Sequence, residues 1–238
     1  MKNIVFAHKD FTFNQGAYVN SQYEAITTHD LKCDLKSTKF DTDLPDEIFG
    51  EITFVKYLIE HWEDPKEWRC THHYRRILQS MENVPCHPEF MLFQGRLYDQ
   101  TCWYHSKNIV DKFIAYLEKR TDGMPNAFKQ TMTEGFFVPY NIFSGPKNVF
   151  EAWYEIVGKP VVDFIQNDLN IKTIEDAHNF IKTDPDALTP RQGKNTEIVY
   201  QSRIGGFLAE RMSTMFWRLY FQGAMPCRVK LLENGQSI

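Results

Sequence analysis

Leu208, Met212, Met215, Phe216 and Leu219 recur three and four residues apart, which puts them on one face of a helix. Gly205-Gly206 just before them reads as a tight turn that brings backbone close to a ligand. Glu210 then falls in the first helical turn, between Arg203 and Arg211. The same spacing in Ile48, Ile52, Val55 and Ile59 predicts a helix over 46–61. Ile109, Val110, Phe113, Ile114 and Leu117 predict another over 107–120. Val149, Trp153, Ile156 and Val157 predict a third, kinked at Pro160. Thr173 caps a short helix, with Asp176 completing a capping box.

Short apolar runs between these segments read as strands. They lie at 3–7, 68–78, 135–143 and 227–232, with a further buried strand at 90–93. Residues 11–16 read as a loop, and 184–193 as a polar, proline-rich loop that is mobile. Strands alternating with helices predict an α/β fold, a single domain over 1–238 with a mainly parallel central sheet flanked by helices.

The chain has 238 residues, 42% of them hydrophobic and 15% aromatic, so it can bury a sizeable core. Its formal net charge of -4 gives no global basic field of the kind that announces a nucleic-acid binder. Five cysteines without a CxxC argue against zinc and disulfide frameworks. No apolar run approaches the ~18–20 residues of a membrane span. With no leader at Met1, the expected setting is the cytoplasm.

The densest chemical cluster is His72-His73-Tyr74-Arg75-Arg76 at the end of the 68–78 strand. Adjacent guanidiniums offer planar forks suited to phosphate oxygens. Neighbours on a strand face opposite ways, so both arginines reach one ligand only if the strand has ended there. His8 and Lys9 follow the first strand, at the edge where α/β sheets bind ligands. Asp41-x-Asp43 and Asp184-x-Asp186 are spelled like metal-diphosphate clamps, yet both sit in polar turns and read as solvated carboxylates. No Walker, GxGxxG or GxSxG pattern is present.

Four blocks in order resemble the DUF4422 family, bacterial capsular-polysaccharide and lipopolysaccharide glycosyltransferases with a GT-A-like fold. They are IVFAHKD at the start, Glu51-Ile52-Thr53-Phe54 leading to Tyr57, His73-Tyr74-Arg75-Arg76, and a C-terminal set. That set comprises Asn141-Ile142-Phe143, the Trp153 helix, and Gln201-Ser202-Arg203 with Gly206 through Arg211. Two departures stand out: Asp43-Leu44-Pro45-Asp46-Glu47-Ile48 replaces an Asn-Ile-Ser segment, and 86–103 is unlike the family. The resemblance implies sugar transfer from a nucleotide-sugar donor, with a uridine diphosphate sugar first among the choices, to a saccharide hydroxyl. His8, Lys9, His73, Tyr74, Arg75 and Arg76 would bind the donor within a half over 1–110. Glu210 and Arg203 would be catalytic, and Asn141 and Arg211 would lie on the acceptor side, within 111–238. With His-Tyr-Arg-Arg at the expected DxD position, cationic side chains rather than an obligatory divalent metal would stabilise the leaving diphosphate. A hydroxylated DNA base as acceptor, and a non-catalytic nucleotide- or carbohydrate-binding module, are the alternatives.

Overall fold

The computed structural model describes residues 1–12 and 23–231; the expected loop at 11–16 therefore lies largely outside the described residues. Eleven strands are present among them: β1 (Lys2–Ala7), β2 (Tyr23–Thr27), β3 (Lys36–Lys39), β4 (Trp68–His73), β5 (Arg76–Leu78), β6 (Cys86–Pro88), β7 (Met91–Leu92), β8 (Phe136–Phe137), β9 (Ser144–Pro146), β10 (Met225–Cys227) and β11 (Val229–Leu231). The main sheet runs β10-β6-β9-β4-β1-β2-β3. Its centre is parallel: β1 pairs with β2 and β4, and β2 with β3. β9 runs antiparallel between β4 and β6, and β5 folds back from β4 to meet β11. The mixed α/β architecture with a mainly parallel sheet is as expected.

β1 shows why the sheet is covered on both faces. Its side chains alternate, so Ile4 and Phe6 enter the large core while Val5 and Ala7 pack with Phe11, Leu35, Tyr74 and Ile77 opposite. The helices are α1 (Asp46–Phe49), α2 (Glu51–Glu60), α3 (Leu97–Tyr104), α4 (Lys107–Glu118), α5 (Met124–Met132), α6 (Lys147–Trp153), α7 (Lys159–Asp163), α8 (Ile174–Thr183), α9 (Pro185–Leu188), α10 (Ile198–Gln201) and α11 (Ile204–Met215). α4 buries Ile109, Val110, Phe113 and Leu117, the stripe that its spacing predicts, and Ser106 caps it. The capping box at Thr173 and Asp176 is formed.

Several elements differ from expectation. The 46–61 helix is broken at Gly50, whose φ of 55° suits glycine. The 68–78 strand is interrupted at Tyr74-Arg75, where the chain turns from β4 into β5. β7 is not buried: Met91 is 48% and Leu92 82% exposed, because β7 pairs only with β8, off the main sheet. At Pro160 the helix widens instead of stopping. A π-helical turn, Tyr154–Gly158, precedes α7, which carries the proline in its first turn.

Asp184 and Asp186 do not stand in a solvated loop. Asp184 is 3% exposed, accepts a bond from Ser106 Oγ at 2.6 Å and caps α9. Asp186 accepts from the Lys107 N–H at 2.5 Å, so the pair fastens α9 to the start of α4. Asp41 and Asp43 are exposed, as expected, and Asp43 meets Lys56 at 2.6 Å.

Candidate functional site

The parallel strands β1, β2 and β4 all end at one edge, and His8, His29 and His73 stand at or just past their last residues. Across from them runs α11. The space between is a cleft of about 870 Å³. His8, Lys9, His73, Tyr74, Arg75, Arg76, Arg203, Glu210 and Arg211 all line it. Nine of the ten side chains singled out from the sequence therefore come together, although they are spread from residue 8 to residue 211.

Asn141 is the exception. It is 1% exposed and lies behind the wall, not on it. Its Nδ2 reaches Glu51 Oε2 and the Gly206 carbonyl, each at 3.4 Å, and its Oδ1 accepts from Ser213 Oγ at 2.8 Å. It positions Glu51 and the backbone of α11, and does not face an acceptor.

The glycine pair is also not a turn. α11 begins at Ile204, with Arg203 at the N-cap position, so Gly205 and Gly206 are helical and Glu210 lies in the second turn. A Cβ on Gly205 would sit 2.9 Å from the Ile48 carbonyl oxygen and from Phe49 Cα. Its smallness serves close packing of α11 on α1 rather than approach to a ligand.

Glu210 is held from two sides: the Tyr140 N–H donates to Oε1 at 3.1 Å, and Arg211 Nη1 to Oε2 at 2.8 Å. Its side chain keeps 23% exposure toward the cleft. Burial raises its pKa above the usual carboxylate value, and Glu51 adds to this, while Arg211 opposes it. Tyr140 adopts a φ of 63°, unusual for a tyrosine. Its ring lies under the Arg76 guanidinium at 4.1 Å.

The cations divide into two kinds. Arg211 is 3% exposed and spends its donors on Glu210, Thr101, Gln100 and the Phe207 carbonyl. Lys9, Arg75, Arg76 and Arg203 form no ion pair with a carboxylate among the described residues. Arg75 donates to Tyr74 Oη at 2.6 Å and stacks on its ring. Arg76 Nε is shielded from solvent and has no partner among the described residues.

Among the lining residues to which sequence reasoning gave no role are His29, Asp46 and Glu51. Asp46 is 3% exposed and accepts from His8 Nδ1 at 2.6 Å and Thr28 Oγ1 at 2.7 Å, with His29 Nε2 at 3.1 Å. Burial works against its charge, but these partners hold its carboxyl down at about 2. His73 is buried beside His8 and the arginines, which pushes its pKa well below the ordinary imidazole value. A second wall is aromatic, with His105 stacked on Phe207 at 3.6 Å and Tyr200 tilted against Phe207 at 5.2 Å.

No known family profile matches the chain, and no curated protein sequence does. Its fold is shared with a solved structure, the apo form of the bifunctional glycosyltransferase WbbM. The TM-score is 0.68 at 14% identity, over 98% of this chain and 45% of the other. The chain thus spans less than half the length of that protein. Among the described residues no helix is long and apolar enough to cross a membrane.

Proposed function

We propose that this chain is a glycosyltransferase that moves a sugar from a nucleotide-sugar donor to a hydroxyl acceptor. One observation carries the reading: four cations without carboxylate partners among the described residues face a partly exposed, pKa-raised carboxylate across one cleft at the ends of parallel strands. Unpaired guanidiniums suit a diphosphate that gains charge as it leaves. Arg75, Arg76 and Lys9 hold the donor diphosphate, and Arg203 lies toward the transferred sugar. The acceptor oxygen attacks the anomeric carbon, the carbon–phosphate-oxygen bond breaks, and the diphosphate leaves with the electron pair. Glu210 takes the acceptor proton, and its raised pKa brings it nearer to that of a working base.

The fold shared with a glycosyltransferase supports the reaction class; the resemblance to the DUF4422 family supports the finer points. These are a uridine diphosphate sugar as donor, a saccharide acceptor, surface-polysaccharide synthesis and a cytoplasmic setting. A DNA acceptor is disfavoured, because Asp46, Glu47, Glu51 and Glu210 interleave with the cations and leave no broad basic face. An open cleft of this volume speaks against an inert module.

A panel of nucleotide sugars tests the reading by thermal shift and slow donor hydrolysis. One donor is expected to raise the melting temperature and to be hydrolysed, and a chain that answers to none of them is not a glycosyltransferase of this kind.

A further inference from the structure

The expectation that no divalent metal is obligatory rests on the spacing of aspartates. The imidazoles come together only in the fold. His8 just past β1, Glu51 at the start of α2 and His73 at the end of β4 each bring one nitrogen or oxygen within 4.8 Å of the others. Glu51 and His73 are 9% and 7% exposed.

The hydrogen bonds decide what these atoms are. Asp46 engages His8 Nδ1 at 2.6 Å, which leaves Nε2 as the coordination point of that ring. Nε2 is shielded from solvent and has no partner among the described residues. On His73, the N–H of Arg75 occupies Nδ1 at 3.3 Å, which leaves Nε2 as the second coordination point of the ring. Among the described residues Glu51 receives only the long contact from Asn141 at 3.4 Å. A buried ring nitrogen without a partner among the described residues, set beside a buried carboxylate, is unfavourable. A cation at their centre reverses the sign of every one of these contacts.

We propose that His8, Glu51 and His73 bind one divalent first-row transition ion. Two imidazole nitrogens and one carboxylate oxygen are the donors such ions take, with positions left open toward the cleft. Magnesium fits poorly, since it favours an octahedron of oxygens. Asp46 behind His8 is the outer carboxylate that fixes a ligating imidazole's tautomer and orientation. Arg75, Arg76 and Arg203 oppose a further positive charge nearby; Asp46, Glu47, Glu51 and Glu210 in the same cleft offset them. A second cluster, His29, Asp46 and Glu47, lies at the rim and competes for an ion.

Calorimetric titration of the full chain with zinc alone, without nucleotide sugar, tests the site independently of glycosyl transfer. One zinc per chain is expected, and no magnesium at the same concentration. Glu51→Gln keeps the shape and His8→Asn keeps a polar group; each should weaken zinc by on the order of 100-fold, at least the 10–100-fold that losing an outer carboxylate costs. Asp46→Asn should weaken it by about 10–100-fold, and His29→Ala should leave it unchanged. Melting curves identify any variant that fails to fold, in which case His73→Gln takes its place. Absence of zinc binding by the wild type overturns the proposal. So does equal binding by the folded Glu51 and His8 variants, or loss in His29→Ala alone, which would move the ion to the rim.

Discussion

The two sides of the cleft treat charge in opposite ways. Along the strand ends, Lys9, Arg75 and Arg76 have no carboxylate partner among the described residues, nor has Arg203 at the start of α11. About two turns further along α11, Glu210 and Arg211 are engaged with each other and with Thr101, Gln100 and Tyr140. A guanidinium whose donors are all met by the protein holds shape. One whose donors are free has its binding energy still available for a ligand. Two arginines in the same cleft, Arg76 and Arg211, thus do different work, and substitution should tell them apart.

The largest effect is expected at Arg211. Arg211→Met leaves Glu210 without its cation in a largely buried place, and should lower unfolding free energy by about 3–5 kcal/mol in urea titration. Arg203→Met should stay within about 0.5 kcal/mol of wild type. Equal losses would erase the distinction between the two sides.

Glu210→Gln comes next. Glutamine can still accept from Tyr140, so the fold and donor binding should persist while transfer falls by on the order of 10²-fold or more. The pH profile sharpens this. A base acts when ionised, and burial raises the Glu210 pKa above 4.5, so the acid limb of kcat/KM should lie above 4.5 and disappear in the variant. Normal transfer by the variant would return Glu210 to a purely structural role.

Smaller losses follow on the open side. Arg76→Ala should weaken nucleotide-sugar binding by about 10–100-fold, as loss of a charge-assisted contact of about 1.5–3 kcal/mol implies, with the melting temperature unchanged. Arg75 is more exposed and should matter less and depend more on salt. Least of all, Asp43→Asn removes a pair with Lys56 in which the aspartate is 73% exposed. It should change stability by less than about 1 kcal/mol and turnover not at all. A large loss of turnover would bring back the Asp41-x-Asp43 pair as a diphosphate clamp.

Much of the strand-end side was legible in the sequence, because a strand that ends in polar residues announces where a parallel sheet binds. His8-Lys9 and His73 to Arg76 needed only that rule. α4 was legible from its period alone. What escaped notice depended on contacts between distant segments. Asp46 looked like one acid of a polar turn; only the approach of His8 and His29 makes it a buried anchor. Gly50 interrupts an otherwise regular helical pattern, and that interruption was the available signal for Glu51. Gly205 misled because close packing of helices and a tight turn both demand glycine. Asn141 misled because a buried positioning residue and an acceptor contact are spelled alike.

Tyr140 connects the two sides and narrows what evolution can place there. Its φ of 63° is one that glycine adopts freely and asparagine tolerates. Either replacement would relieve backbone strain of about 1–3 kcal/mol and still offer the N–H that Glu210 accepts. Neither could place an aromatic ring beneath Arg76. The position is therefore a site of compromise between stability and activity, where drift toward a sturdier protein would leave the carboxylate anchored and let the guanidinium wander.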